Sequence, residues 1–219
     1  MSTVVIDYGS GNLRSVGKAL MRAAEMTGLS QRIVVSSKAE DVVAAERIVL
    51  PGVGAFGDCM SGLAALDGML EALDEAVVEK GRAFLGICVG MQLMAERGIE
   101  HGVHKGLCWI EGEVVRIEPA PEADGGRQLK VPHMGWNEVR LERPEHPIFA
   151  GIEDLTHFYF LHSYHMQIER PEELLASVEY GGPLAAAVGR DNLVGVQFHP
   201  EKSQESGLRL LANFLRWSL

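Results

Sequence analysis

The first half of the chain repeats one pattern: a short continuous apolar run, then a turn, then apolar residues at helical spacing. The runs are residues 3–6, 32–35, 48–50 and 83–87. Each is too short for a helix and reads as a strand, and continuous rather than alternating apolar runs fit strands covered on both faces. Leu13, Val16, Leu20 and Ala24 follow the first run at helical spacing, with Asn12 as a candidate cap. Residues 38–45 and 58–80 give two more helical stretches, the longer one expected to break near Asp67-Gly68, and residues 89–96 give a fourth. Strands alternating with helices imply βαβ units, a parallel sheet and right-handed crossovers.

The second half is richer in strands. Residues 113–117, 138–141, 157–161, 174–178, 184–188 and 193–198 carry the pattern, and Gly189-Arg190-Asp191-Asn192 reads as a hairpin turn between the last two. Residues 204–219 end the chain as a helix, with Ser203 as its cap and Glu205 in its first turn. Residues 118–126 read as a loop, and strands continue beyond it. The expected fold class is therefore α/β, a three-layer arrangement of a mostly parallel central sheet with flanking helices plus a strand-rich second half, as one domain over residues 1–219.

Composition narrows the function. A chain of 219 residues with 47% hydrophobic content can bury a sizeable core. Its formal net charge of −10 and the lack of a Lys/Arg cluster argue against nucleic acid as a partner. No run reaches the roughly 18 apolar residues of a membrane span, and the start lacks the basic-then-apolar order of a secretory leader. Cys59, Cys88 and Cys108 are an odd number of thiols, which fits reduced cysteines and a cytoplasmic location.

The densest chemical signal is Gly86-Ile87-Cys88-Val89-Gly90, between an apolar strand and a helical stretch. This is the pattern of a nucleophile elbow with cysteine in place of serine. A sharp strand-to-helix corner needs small flanking residues, which accounts for both glycines. A helix N-terminus favours the thiolate of Cys88, and the N–H of Val89 is placed to donate to a substrate oxyanion. Cys59 and Cys108 lack that context and read as packing residues. A thiolate nucleophile needs a proton donor and acceptor. His199, in Phe198-His199-Pro200-Glu201, follows the last strand, and Glu201 lies two residues on, near enough to orient the ring. His133 and His162 are the rival bases, and the remaining histidines read as surface or structural. No spacing of His-Glu-x-x-His type suggests a metal. Pro51-Gly52-Val53-Gly54 after the third strand is free to turn a second N–H toward an oxyanion.

These segments, in this order and spanning nearly the whole chain, resemble the class I or triad-type glutamine amidotransferases. The resemblance implies a flavodoxin-like glutaminase fold. It implies Cys88 as nucleophile, His199 as acid and base and Glu201 as its orienter. Val53 and Val89 would frame the oxyanion hole, and Gly54, Gln92, Ser163 and Tyr164 would bind glutamine. It also implies that the Pro51-Gly52-Val53-Gly54 peptide rotates before its N–H enters the site, so that activity depends on a partner. A narrower resemblance lies in Asp7-Tyr8-Gly9-Ser10-Gly11-Asn12-Leu13, Pro132-His133-Met134-Gly135-Trp136-Asn137, Phe160-Leu161-His162-Ser163-Tyr164 and Lys202-Ser203. It points to members of the family that form a heterodimer with a cyclase (β/α)8 barrel and pass ammonia to it. Asn12, Met134, Trp136, Asn137, Tyr159 and Lys202 would face that partner. Neither a cofactor nor a metal is called for. Val89 stands where leucine is usual in the family, which changes bulk and keeps the backbone N–H.

Overall fold

The computed structural model describes residues 2–28, 30–120 and 129–218. The expected loop at 118–126 and the end of the last helix therefore lie partly outside the described residues. The chain begins with β1 (Ser2–Ile6), α1 (Leu13–Thr27), β2 (Arg32–Ser36), α2 (Ala39–Ala44), β3 (Arg47–Gly52), α3 (Phe56–Ala64) and α4 (Met69–Leu73). The break foreseen in the long helical stretch falls at Gly68, in the left-handed region at φ 68°, and α4 runs on into a π-helical turn at Asp74–Glu79. Next come β4 (Ala83–Cys88), α5 (Val89–Gln92), β5 (Ala95–Ile99), β6 (Val103–Lys105), β7 (Ile110–Arg116) and β8 (His133–Leu141). The chain closes with β9 (Thr156–His162), β10 (Tyr164–Ile168), β11 (Leu174–Glu179), β12 (Pro183–Arg190), β13 (Leu193–Val196) and α6 (Gln204–Arg216).

A nine-stranded sheet in the order β2-β1-β3-β4-β13-β12-β11-β8-β9 forms the centre. The five strands from β2 to β13 are mutually parallel, and the rest continue antiparallel. In the parallel half every residue of β3 and β4 is buried, which is why those segments read as unbroken apolar runs, whereas β2 at the sheet edge leaves Arg32 and Val35 exposed. A second sheet of four strands, β10-β7-β5-β6, joins residues from widely separated parts of the chain. Among the described residues, no helix is long and apolar enough to cross a membrane.

Four local expectations change. The helix expected over 89–96 stops at Gln92. The carbonyls that would continue it are taken from outside: Leu107 N–H donates to Leu93 O at 2.8 Å, Trp109 N–H to Met94 O at 2.9 Å and Cys108 N–H to Ala95 O at 3.1 Å. The chain is thereby pulled out into β5. Asn12 sits at the start of α1 without capping it, and its amide reaches Glu201 instead, Nδ2 to Oε1 at 3.5 Å. Ser203 likewise makes no cap; its hydroxyl donates to His199 O at 2.7 Å and accepts Tyr159 N–H at 3.0 Å. Cys108, expected in the core, is exposed, whereas Cys59 is buried as expected.

Candidate active site

Register brings three strand ends together. Gly52 of β3 lies beside Cys88 of β4, and Val196 of β13 beside Ile87. Parallel strands collect their loops at the C-terminal edge, so Val53, Cys88 and His199 emerge side by side. Cys88 is bent to φ 55° and ψ −111°, a conformation that a side chain tolerates only when its surroundings enforce it. The enforcement is visible at Gly90 and Gly86. A Cβ on Gly90 would stand 1.8 Å from Leu50 O, and one on Gly86 would stand 2.5 Å from Gly90 O. The corner closes only because both residues are glycine.

His199 and Glu201 are held by the short helical turn Pro200–Lys202 that follows β13. Backbone bonds from Gln197 N–H to Ala186 O at 2.9 Å and from His199 N–H to Tyr159 O at 2.8 Å fix the segment. His199 Nδ1 lies 2.9 Å from Glu201 Oε1, with side chains 3% and 1% exposed. The carboxylate can only accept, so Nδ1 carries the proton and Nε2 is left for the thiol side. Burial works against the charged imidazolium. Hydrogen bonds to Cys88 and Glu201, with the charges of both, outweigh it and push the His199 pKa up to about 9. Cys88 Sγ is 3.8 Å from Leu161 O and 3.7 Å from Gln197 Nε2.

The rival bases are otherwise engaged. His162 Nδ1 donates to Tyr164 O at 2.8 Å, so its Nε2 accepts from His133 Nδ1 at 3.0 Å, and His133 Nε2 in turn accepts from Asn137 Nδ2 at 3.2 Å. Burial lowers the His133 pKa to about 4 and that of His162 to about 3. His133 is also stacked between Phe160 and Tyr180, at centroid distances of 4.6 and 4.0 Å. Of the three candidates, only His199 pairs with Cys88.

A cleft of ≈ 260 Å³ opens over this group, lined by Val53, Gly54, Cys88, Val89, Gln92, Ser163, Tyr164, His199 and Lys202, with Glu100, Pro132, Leu161 and His162. It contains every position expected for glutamine and both expected for the oxyanion; Glu201 stands behind His199. Gln92 is 3% exposed and directs Nε2 to Tyr164 O at 3.0 Å and to Gln197 Oε1 at 3.1 Å. The Val53 N–H points away from the cleft, donating to Ser10 Oγ at 3.2 Å. Sequence reading missed Glu100 and Gln197. Glu100 follows the unforeseen β5, so nothing local marked it, whereas Gln197 was signalled as the one polar residue in the run 193–198.

The residues expected toward a partner divide. Met134 and Trp136 are 65% and 46% exposed. The Trp136 ring meets Tyr159 edge-on at 6.1 Å, and Lys202 Nζ lies 5.6 Å from the centre of the Tyr159 ring. Asn12 and Asn137 are half-buried, and their amides reach Glu201 and His133 respectively.

An α/β sheet with a strained cysteine at a strand-to-helix corner and a glutamate-held histidine beside it defines the architecture of a cysteine-dependent amidotransferase. Residues 4–217 match the class-I glutamine amidotransferase family, and the chain belongs to it. It is 58% identical over 218 residues, 100% of each chain, to imidazole glycerol phosphate synthase subunit HisH of Rhodospirillum rubrum. It is 54% identical over 220 residues, 99% of each, to the protein of that name from Mesorhizobium japonicum. Among solved structures, a glutamine amidotransferase aligns with TM-score 0.68 at 21% identity, covering 97% of each chain. The glutaminase domain of Trypanosoma brucei CTPS aligns with TM-score 0.65 at 14% identity, covering 100% of this chain and 95% of the other. At such identities these two speak for the fold.

Proposed function

We propose that this chain, as one glutaminase unit, hydrolyses glutamine through a Cys88 thioester and passes the ammonia to a (β/α)8 cyclase barrel. The pair would act as imidazole glycerol phosphate synthase of histidine biosynthesis, in the cytoplasm. The barrel would join the ammonia to a ribulosyl-linked carboxamide nucleotide, giving imidazole glycerol phosphate and an aminoimidazole carboxamide ribotide. The observation that carries the reading is Cys88, buried at positive φ in the lining of a cleft and paired with a His199 that is itself held by Glu201.

Cys88 Sγ attacks the side-chain amide carbon of glutamine, and the carbonyl oxygen becomes an oxyanion facing the Val89 N–H. Each well-placed oxyanion donor contributes about 3–4 kcal/mol. His199 gives its Nε2 proton to the departing nitrogen, and ammonia leaves. His199 then takes a proton from water, which opens the thioester and releases glutamate. Glu201 keeps Nδ1 protonated throughout. Glu100, among the described residues the one acidic side chain lining the cleft, is suited to the α-ammonium of glutamine. The second oxyanion donor, Val53, is turned away, so full activity requires a rotation that a partner drives. Met134, Trp136 and Tyr159 supply an apolar and aromatic anchor of the kind interfaces favour.

The test is synthesis by the purified chain mixed with a candidate barrel. Cys88→Ala should abolish glutamine-dependent synthesis and leave synthesis from added ammonium salts intact. Glutamine-dependent turnover by that variant would remove Cys88 from the mechanism. A triad glutaminase serving a different synthase would give no ammonia transfer to this barrel, and a free-standing hydrolase would turn over fast without it.

A further inference from the structure

The amide of Gln197 is completely buried, at 0% exposure, in an otherwise apolar run, behind the residues that line the cleft. A buried amide must satisfy its polar atoms, and the way this one does so fixes its orientation. Gln92 Nε2 has two hydrogens, one directed to Tyr164 O at 3.0 Å and the other to Gln197 Oε1 at 3.1 Å. Because a backbone carbonyl only accepts, the nitrogen of Gln92 must face it. The neighbouring atom of Gln197 must then be its oxygen, since two NH₂ groups would otherwise meet. The nitrogen of Gln197 is thereby turned to Cys88, with Nε2 3.7 Å from Sγ.

From this geometry we infer that Gln197 is a positioning residue for the nucleophile, an N–H donor held by Gln92 that stabilises negative charge on Cys88 sulfur. The inference rests on the reading of Cys88 as the nucleophile. The other non-histidine partner of Sγ is Leu161 O at 3.8 Å, which accepts and so favours only the protonated thiol. Gln197 supplies the opposite preference. In the first half-reaction it steers the sulfur electron pair before attack. In the second, the C–S bond of the thioester breaks and the pair returns to sulfur, where the same N–H receives it. His199, Tyr8 and Cys59 are ionisable groups that interact with Cys88, and substituting Gln197 removes none of them.

The test is site-resolved alkylation of the full chain by iodoacetamide as a function of pH, read by mass spectrometry, with Gln197→Glu and Gln197→Met. Glu keeps the size and the acceptor for Gln92, removes the donor and places a carboxylate by the sulfur. Met removes both polar atoms. Exposed Cys108 is the internal reference and buried Cys59 reports unfolding. Cys88 in Gln197→Met should react about tenfold more slowly at neutral pH, the size of one lost hydrogen bond to a charged group. Gln197→Glu should be slower still, with the midpoint of its profile moved to higher pH, while Cys108 is unchanged. A merely structural Gln197 would shift melting temperature and leave the Cys88 profile alone. Wild-type Cys88 profiles in either folded variant would overturn the inference. Glutamine hydrolysis surviving in Cys88→Ala would overturn the parent reading instead, so the two failures are distinct.

Discussion

The hydroxyl of Ser10 holds both polar backbone groups of Val53, accepting its N–H at 3.2 Å and donating to its carbonyl at 2.5 Å. Cys59 Sγ adds a contact to the same carbonyl at 3.3 Å. One side chain from the turn after β1 thus satisfies the backbone that would have to rotate to complete the oxyanion hole.

Ser10→Ala should therefore raise glutamine hydrolysis by the isolated chain. Losing a hydrogen bond made only in the turned-away state takes about 1 kcal/mol from that state, which multiplies the population of the rotated one roughly fivefold. Steady-state glutamate release without a partner measures this. An unchanged or lower basal rate would mean that Ser10 does not hold the peptide back.

His199 sets the alkaline limit. Its pKa is raised from 6.5 to about 9, so the imidazolium that protonates the departing nitrogen persists through neutral pH, and kcat/KM should fall as pH rises through about 9. The same shift carries a stability term. A histidine with a raised folded pKa contributes stability that is complete below its unfolded value near 6.5 and lost as pH rises through about 9. Glu201→Gln should move both transitions to lower pH. A kcat/KM profile still flat above pH 10 would contradict the assignment.

The neutral pair His133 and His162 sets an acid limit. Their folded pKa values are lowered to about 4 and about 3, so the unfolded chain binds protons below about 6.5 before the folded one does. Their contribution to stability is present above 6.5 and is lost as pH falls toward those values. Urea midpoints should drop between pH 7 and pH 5, and less steeply in His133→Gln. Equal slopes in the two proteins would show that the pair does not govern acid sensitivity.

Gly90→Ala should destabilise the elbow, because the new Cβ would meet Leu50 O at 1.8 Å and backbone cannot swing aside as a side chain can. Overpacking of this kind costs about 1–3 kcal/mol or more. Gly81→Ala is the control. Its φ is 63° with nothing within 4 Å of the added atom, so only the left-handed backbone penalty of roughly 1 kcal/mol applies. Thermal melts of the two variants compare them directly. A Gly90→Ala protein as stable as Gly81→Ala would show that the corner has slack.

Local chemistry was enough to read from the sequence the elbow, the parallel strands and three residues, Cys88, His199 and Glu201, that the fold brings together. Unbroken apolar runs arise where a strand is covered on both faces, and Gly86 and Gly90 announce a corner too tight for side chains. The rest depends on distant partners. The helix after Cys88 stops at Gln92 because residues 107–109 take its carbonyls. Asn12 and Ser203 carry the residue types of helix caps, yet their hydrogen bonds go to Glu201, His199 and Tyr159. In the sequence His133 and His162 rival His199 as bases; in the fold their ring nitrogens are committed to one another and to Tyr164.

The sequence by itself thus determined which groups the chain has for chemistry and which short segments must be strand, corner or helix, because backbone sterics and apolar periodicity act over a few residues. Tertiary structure alone decided which histidine is free to act, which way the Val53 peptide points and which amide faces the sulfur. A hydrogen-bond donor goes to whichever acceptor the fold brings within about 3 Å, and that acceptor can be more than a hundred residues away in the chain, as Gln197 Oε1 is from the Gln92 amide.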